Sequence, residues 1–205
     1  DDLQIDEARS RMGLDGLIVD GSTVARRTDL YIDLSGIAKG YAADQLSDLL
    51  TSQGLVDHMV EIGGELRASG TNARGSHWVI AIEKPVNLAR SIFTTLPLKN
   101  LGMATSGDYR NYREVDGLRF SHTIDPRTGR PIDHQLASVT VLHQSAALAD
   151  ALATAINVVG PEEGMSLAER QKLMVLFIIR SGDGFEEQRS PELEAYVERI
   201  NGNGG

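Results

Sequence analysis

The chain has 205 residues with 29 acidic and 20 basic side chains, a formal charge of −9, which argues against the clustered cation that nucleic-acid or anionic-membrane binding needs. Apolar residues make up 41% and charged residues 24%, ordinary usage for a globular chain able to bury a core. The absence of cysteine removes disulfides, thiolate zinc sites and cysteine nucleophiles.

In chain order, residues 3–12 read as a short amphipathic helix ending near Gly13, and 16–27 as a hairpin turning at Gly21-Ser22. YIDL (31–34) reads as a strand that runs through Ser35-Gly36 into a helix with apolar positions at Ala42, Leu46, Leu49 and Leu50, closed by Gly54. A series of β-like runs follows: 58–62, 65–69, 77–83, 91–98, 101–105, 118–124 and 138–143. A helix is expected over about 145–158, stopped by Gly160, and another over about 161–170. The strand 172–180, a turn at Asp183-Gly184, a partner strand FEEQR and a last helix opened by Pro191 complete the pattern. Strands and helices do not alternate regularly, so we expect an α+β fold with a mostly antiparallel sheet packed with several helices. With no repeat, linker or composition break, residues 1–200 read as one domain and 201–205 as a disordered tail. The longest purely apolar run, Leu173 to Ile179, is far shorter than the roughly 20 residues of a membrane span.

P-loop, Rossmann, nucleophile-elbow and HExxH patterns are absent, and the five histidines lack metal-ligand spacing. Four other segments carry chemistry. In SAALADALATAINVVG (145–160), Asp150 and Thr154 stand at i and i+4 on one face of a helix that is apolar nearly all round. Such an aspartate either faces a solvent groove, pairs with an arginine, or offers a hard oxygen ligand suited to Mg²⁺. Residues 105–131 hold five arginines against four acids, with His122 just before the turn Asp125-Pro126-Arg127-Thr128-Gly129; this is either a solvated surface hairpin or a phosphate-binding stretch. DLSGIAKGYAAD (33–44) places a small turn and Lys39 at a helix N-terminus, an ordinary connection or an anion site. EIGGELRASG (61–70) has Gly63-Gly64, a hairpin turn or a place where a flat ligand meets backbone.

Together with ATSGDYRNY (104–112), SHTIDPRTGRP (121–131) and ALADALATA (147–155), these segments resemble, in wording and order, the signatures of the FAD:protein FMN transferases, the ApbE family. The resemblance implies an ApbE-like α+β domain related to the T-fold. It implies Mg²⁺-dependent cleavage of FAD, with FMN joined by a phosphoester to a Thr or Ser hydroxyl of an acceptor protein and AMP released. An FAD pyrophosphatase and a non-catalytic flavin-binding assembly module are the alternatives. By resemblance Asp150, Thr154 and the Ala38 carbonyl are metal ligands, His122 is the base toward the acceptor hydroxyl, and Asp108 is catalytic beside it. Ala38, Lys39, Gly40, Gly63, Gly64, Thr105, Ser106, Gly107 and Arg127 are expected to bind the flavin cofactor, with the segment 105–108 flanking its phosphates. The implied acceptors are flavin-carrying subunits of sodium-pumping NADH:quinone reductase or Rnf-type membrane complexes, and the implied location is the periplasmic side of the membrane through a lipid anchor. Ser35 stands where many members have glycine, and Thr123 replaces an aliphatic residue. The family's aromatic-rich N-terminal segment is not found in these residues.

Overall fold

Two strands rich in β-branched and large apolar residues, LASVTVLH and MVLFIIRS, lie side by side at the heart of the molecule. The computed structural model describes residues 2–86, 91–107, 112–115 and 118–202, with 112–115 and 118–120 described by backbone alone. The chain begins with α1 (Asp2–Arg9) and the hairpin β1 (Leu17–Asp20) and β2 (Thr23–Arg26), then α2 (Ala38–Ser52). Next come β3 (His58–Ile62), β4 (Glu65–Ser69), β5 (Trp78–Glu83), β6 (Ile92–Leu98), β7 (Gly102–Gly107), β8 (Tyr112–Val115) and β9 (Leu118–Ser121). The short pair β10 (Ile124–Asp125) and β11 (Arg130–Pro131) precedes β12 (Leu136–His143), α3 (Ala146–Val159) and α4 (Pro161–Gln171). The chain closes with β13 (Met174–Ser181), β14 (Gly184–Arg189) and α5 (Pro191–Gly202).

Six strands form one antiparallel sheet in the order β14-β13-β12-β7-β4-β3. Side chains alternate across it with period two. Ala104, Val139, Val141, Val175 and Phe177 face α3 and α4 through Ala149, Ala153, Ile156 and Ala168. Leu66, Met103, Leu142, Leu176 and Ile178 face the other way, covered by Ile82, Leu96 and Leu98 of the β5–β6 hairpin and by Leu193 and Tyr196 of α5. Both faces of β12 are therefore covered, and residues 136–142 are all buried.

The α+β, mostly antiparallel expectation holds, as do most of the expected strands and helices, but five local expectations are corrected. Residues 31–34 are not a strand: Tyr31, Ile32 and Leu34 are exposed, and among the described residues no strand pairs with them. The buried stripe of α2 is Gly40, Ala43 and Ser47, while Leu46 and Leu49 face outward. The expected run 118–124 is interrupted after Ser121, whose hydroxyl accepts the Thr123 N–H at 3.1 Å and turns the chain at His122. The last hairpin turns at Gly182-Asp183, one residue earlier than expected, and α5 continues to Gly202. Residues 203–205 lie outside the described residues.

Candidate active site

Helix α3 positions the central carboxylate. Ser145 caps it, accepting the Leu148 N–H at 3.2 Å. Asp44 of α2 accepts from Ser145 Oγ at 2.7 Å and from the Ala146 and Ala147 N–H groups at 2.8 and 3.0 Å. A carboxylate at a helix N-terminus satisfies orphan donors and the helix dipole together. This ties α2 to α3 so closely that a Cβ on Gly40 would overlap the Ala146 carbonyl. Gly40 is the third residue of α2, so its N–H lacks an intrahelical acceptor; it donates to Asp150 Oδ2 at 3.1 Å. The Ile37 and Ala38 N–H groups both donate to the Leu34 carbonyl. The anion at this helix start is thus the side chain of Asp150 itself.

Asp150 is 3% exposed, and no arginine pairs with it among the described residues. It lines a cavity of about 370 Å³ together with Ser35, Gly36, Lys39, Glu65 and Thr154. Thr105, Ser106, Gly107, His122, Thr123 and Asn157 complete the wall. Thr154 Oγ1 lies 3.4 Å from Ser106 Oγ, and bare Gly36 leaves room for it, since a Cβ there would stand 3.2 Å from Thr154 Oγ1. Ser35 donates through N–H and Oγ to Asp33 Oδ1, at 2.8 and 2.5 Å, which shapes the turn and holds the Asp33 carboxyl below its ordinary value. Thr105 Oγ1 lies 2.8 Å from Thr140 Oγ1. Lys39 Nζ meets Glu65 Oε1 at 2.6 Å. Burial pushes the Glu65 carboxyl up, Lys39 pulls it back, and the charge of Asp150 adds to the rise.

Several donors in this wall are hard oxygens. Asp150 supplies a carboxylate and Thr154 a hydroxyl, while Glu65 Oε2 and Asn157 Oδ1 are buried oxygens without a hydrogen-bond partner. No group of three or more His, Cys, Asp or Glu that could hold a metal gathers among the described residues, here or elsewhere, so any ligand set here draws on hydroxyl, amide and carbonyl oxygens beside the carboxylate. The Asp150 carboxylate and the Thr154 hydroxyl, one turn apart on α3, are an oxygen-only pair that suits Mg²⁺ completed by water and phosphate oxygens.

The model of the ApbE family matches residues 1–177. The chain belongs to the ApbE family. A Vibrio cholerae protein named FAD:protein FMN transferase is 45% identical over 199 residues, 97% of this chain and 60% of its own length. One from Escherichia coli K12 is 40% identical over 95% of this chain and 57% of its own length. Among solved structures, the flavin transferase ApbE from Vibrio cholerae superposes with a TM-score of 0.85 at 44% identity, covering 95% of this chain and 62% of that one. The apo flavinyl transferase ApbE of Pseudomonas stutzeri gives 0.85 at 42% identity over 96% and 61%. The chain therefore spans about three fifths of the length of these ApbE relatives.

Of the residues expected from the ApbE signatures, Lys39, Thr105, Ser106, Gly107, His122, Asp150 and Thr154 come together in the one cavity. Ala38 is the first residue of α2, between Gly36 and Lys39. Gly40 stands behind the wall as the donor to Asp150. Gly63 and Gly64, both at positive φ, make the β3–β4 turn, and Gly64 lines a neighbouring cleft of about 260 Å³ that shares Thr105. Arg127 is not brought to the cavity: its guanidinium binds Asp125 at 2.9–3.1 Å and Glu163 at 2.8 Å. Asp108 lies outside the described residues. Sequence reasoning missed Glu65 and Asn157. The signal for Asn157 was present, because it continues the Asp150–Thr154 face at i+7. Glu65 is 26 residues from Lys39 in sequence and meets it through the fold alone.

Proposed function

We propose that the protein transfers FMN from FAD to a Thr or Ser hydroxyl of an acceptor protein, releasing AMP. The observation that carries this is the convergence of Asp150, Thr154, Lys39, Ser106 and His122 on one cavity in a chain of the ApbE family. Relatives bearing the name FAD:protein FMN transferase support it. Asp150, Thr154 and the Ala38 carbonyl would hold Mg²⁺, which supplies charge neutralisation at the diphosphate. Lys39 offers its ammonium to the same phosphates, and Ser106 and Gly107 border them. His122 takes the proton of the acceptor hydroxyl as its oxygen bonds to the FMN phosphorus, the general-base role that histidine most often fills. The bond from that phosphorus to the AMP oxygen breaks, and AMP leaves.

Acceptors of this chemistry are flavin-carrying subunits of membrane redox complexes of the sodium-pumping NADH:quinone reductase or Rnf type. The proposed location is the periplasmic side of the membrane, by lipid anchorage. Among the described residues no helix is long and apolar enough to cross a membrane.

Asp150→Ala is expected to abolish both FAD cleavage and transfer, whereas His122→Ala mainly cripples transfer, by the 10²–10⁴-fold typical of a general base. Chromatography of AMP and FMN alongside the acceptor's mass separates the two. Full flavinylation by Asp150→Ala in Mg²⁺ would sink the metal assignment.

A further inference from the structure

Glu65 has no place in the transfer chemistry above, yet it is held at a cost. Its side chain is 4% exposed, and Oε2 is buried without a partner. A buried carboxylate with an unpaired oxygen is an expensive way to hold one lysine.

The surroundings explain it. Lys39 directly precedes Gly40, whose N–H binds Asp150 Oδ2 at 3.1 Å. The root of the Lys39 stem is therefore one residue away from the hydrogen bond to Asp150. A lysine carries its point charge on a flexible four-carbon stem, so two carboxylates, Asp150 and Glu65, compete for it in the same cavity. In the structure the stem crosses the β3–β4 turn, where a Cβ on Gly63 would stand 3.0 Å from Lys39 Cδ. The ammonium ends on Glu65, at 2.6 Å. Asp150, Lys39 and Glu65 all line this one cavity.

We infer that Glu65 is a positioning residue that holds the Lys39 ammonium away from Asp150 and so keeps the Asp150 carboxylate open to a divalent cation. Remove the Glu65 charge, and Asp150 is the carboxylate left beside Lys39 in the cavity wall, so the ammonium then competes with the metal. Bare Gly63 serves the same end, because a side chain there would push the lysine stem out of its path. This inference rests on the reading of Asp150 as a metal ligand.

Mn²⁺ binding in place of Mg²⁺, followed by calorimetry and by the electron paramagnetic resonance of free Mn²⁺, tests it without FAD. Wild type is compared with Glu65→Gln, Lys39→Met/Glu65→Gln and Asp150→Ala, each checked for folding by circular dichroism. Glu65→Gln is expected to weaken binding roughly 10–100-fold, the range found when support of a metal ligand is lost. Lys39→Met/Glu65→Gln is expected to recover most of that loss, since the competing cation is gone. A Glu65 with only a structural role would leave the double variant as weak as the single one, and that result overturns the inference. So does a Glu65→Gln variant that binds like wild type. Wild type binding no better than Asp150→Ala overturns the metal reading itself. Should Glu65→Gln fail to fold, Glu65→Met takes its place in the same comparison.

Discussion

Gly40 meets two demands that no other residue satisfies together. It lacks the Cβ that would overlap the Ala146 carbonyl, and its free N–H reaches Asp150. Gly40→Ala should push α2 off α3, at a cost of about 1–3 kcal/mol for forced overpacking. Urea unfolding reads that loss, and Mn²⁺ titration should show weakened binding because the donor to Asp150 moves with the helix. Unchanged stability and binding would remove the close crossing from the account. At this scale the sequence was informative wherever spacing carries direction. Asp150 and Thr154 were legible as one helical face, and their apolar neighbours implied burial. The Glu65–Lys39 pair was not, because a hairpin and a helix start must first fold against each other.

Among the elements, α3 depends on a cap borrowed from α2. Asp44 takes up Ser145 Oγ and two N–H groups in the first turn of α3. Asp44→Ala should cost roughly 0.5–2 kcal/mol, the range for a lost helix cap, and should loosen α2 from α3. A lowered urea midpoint with an unchanged slope is the expected result. Helix boundaries were readable here because Ser145, Gly160 and Pro161 punctuate the chain. The buried face of α2 was not. Large apolar residues at 46 and 49 dominate the pattern, while small Gly40, Ala43 and Ser47 make the contact because they allow close approach. The β-like run 118–124 hid a break for a related reason. A single Ser121 hydroxyl bond redirects the chain at His122, and no periodicity announces that.

For the molecule as a whole, a net charge of −9 must coexist with the cavity proposed to take a diphosphate. The arginine-bearing stretch 105–131 was the expected source of local cation. Arg127 instead pairs with Asp125 and Glu163, and Arg130 with Asp2; the side chains at 110, 113 and 119 lie outside the description. The cation shown in the wall is Lys39, restrained by Glu65. Charge at this site is thus arranged by pairing, with acid and base set against each other at fixed places, and overall composition does not report it. Sheet order and the coverage of both faces of β12 also depend on long-range pairing that no local pattern encodes.

Flavin transfer is proposed for a chain that spans about three fifths of the length of the relatives it matches. Its most direct test incubates the chain with FAD, Mg²⁺ and an acceptor domain that presents a threonine, and reads the acceptor's mass and in-gel flavin fluorescence. One covalent FMN on the acceptor is expected, with AMP released, and no labelling when a chelator replaces Mg²⁺. An unlabelled acceptor, whether FAD is left intact or split to free FMN and AMP, would contradict it.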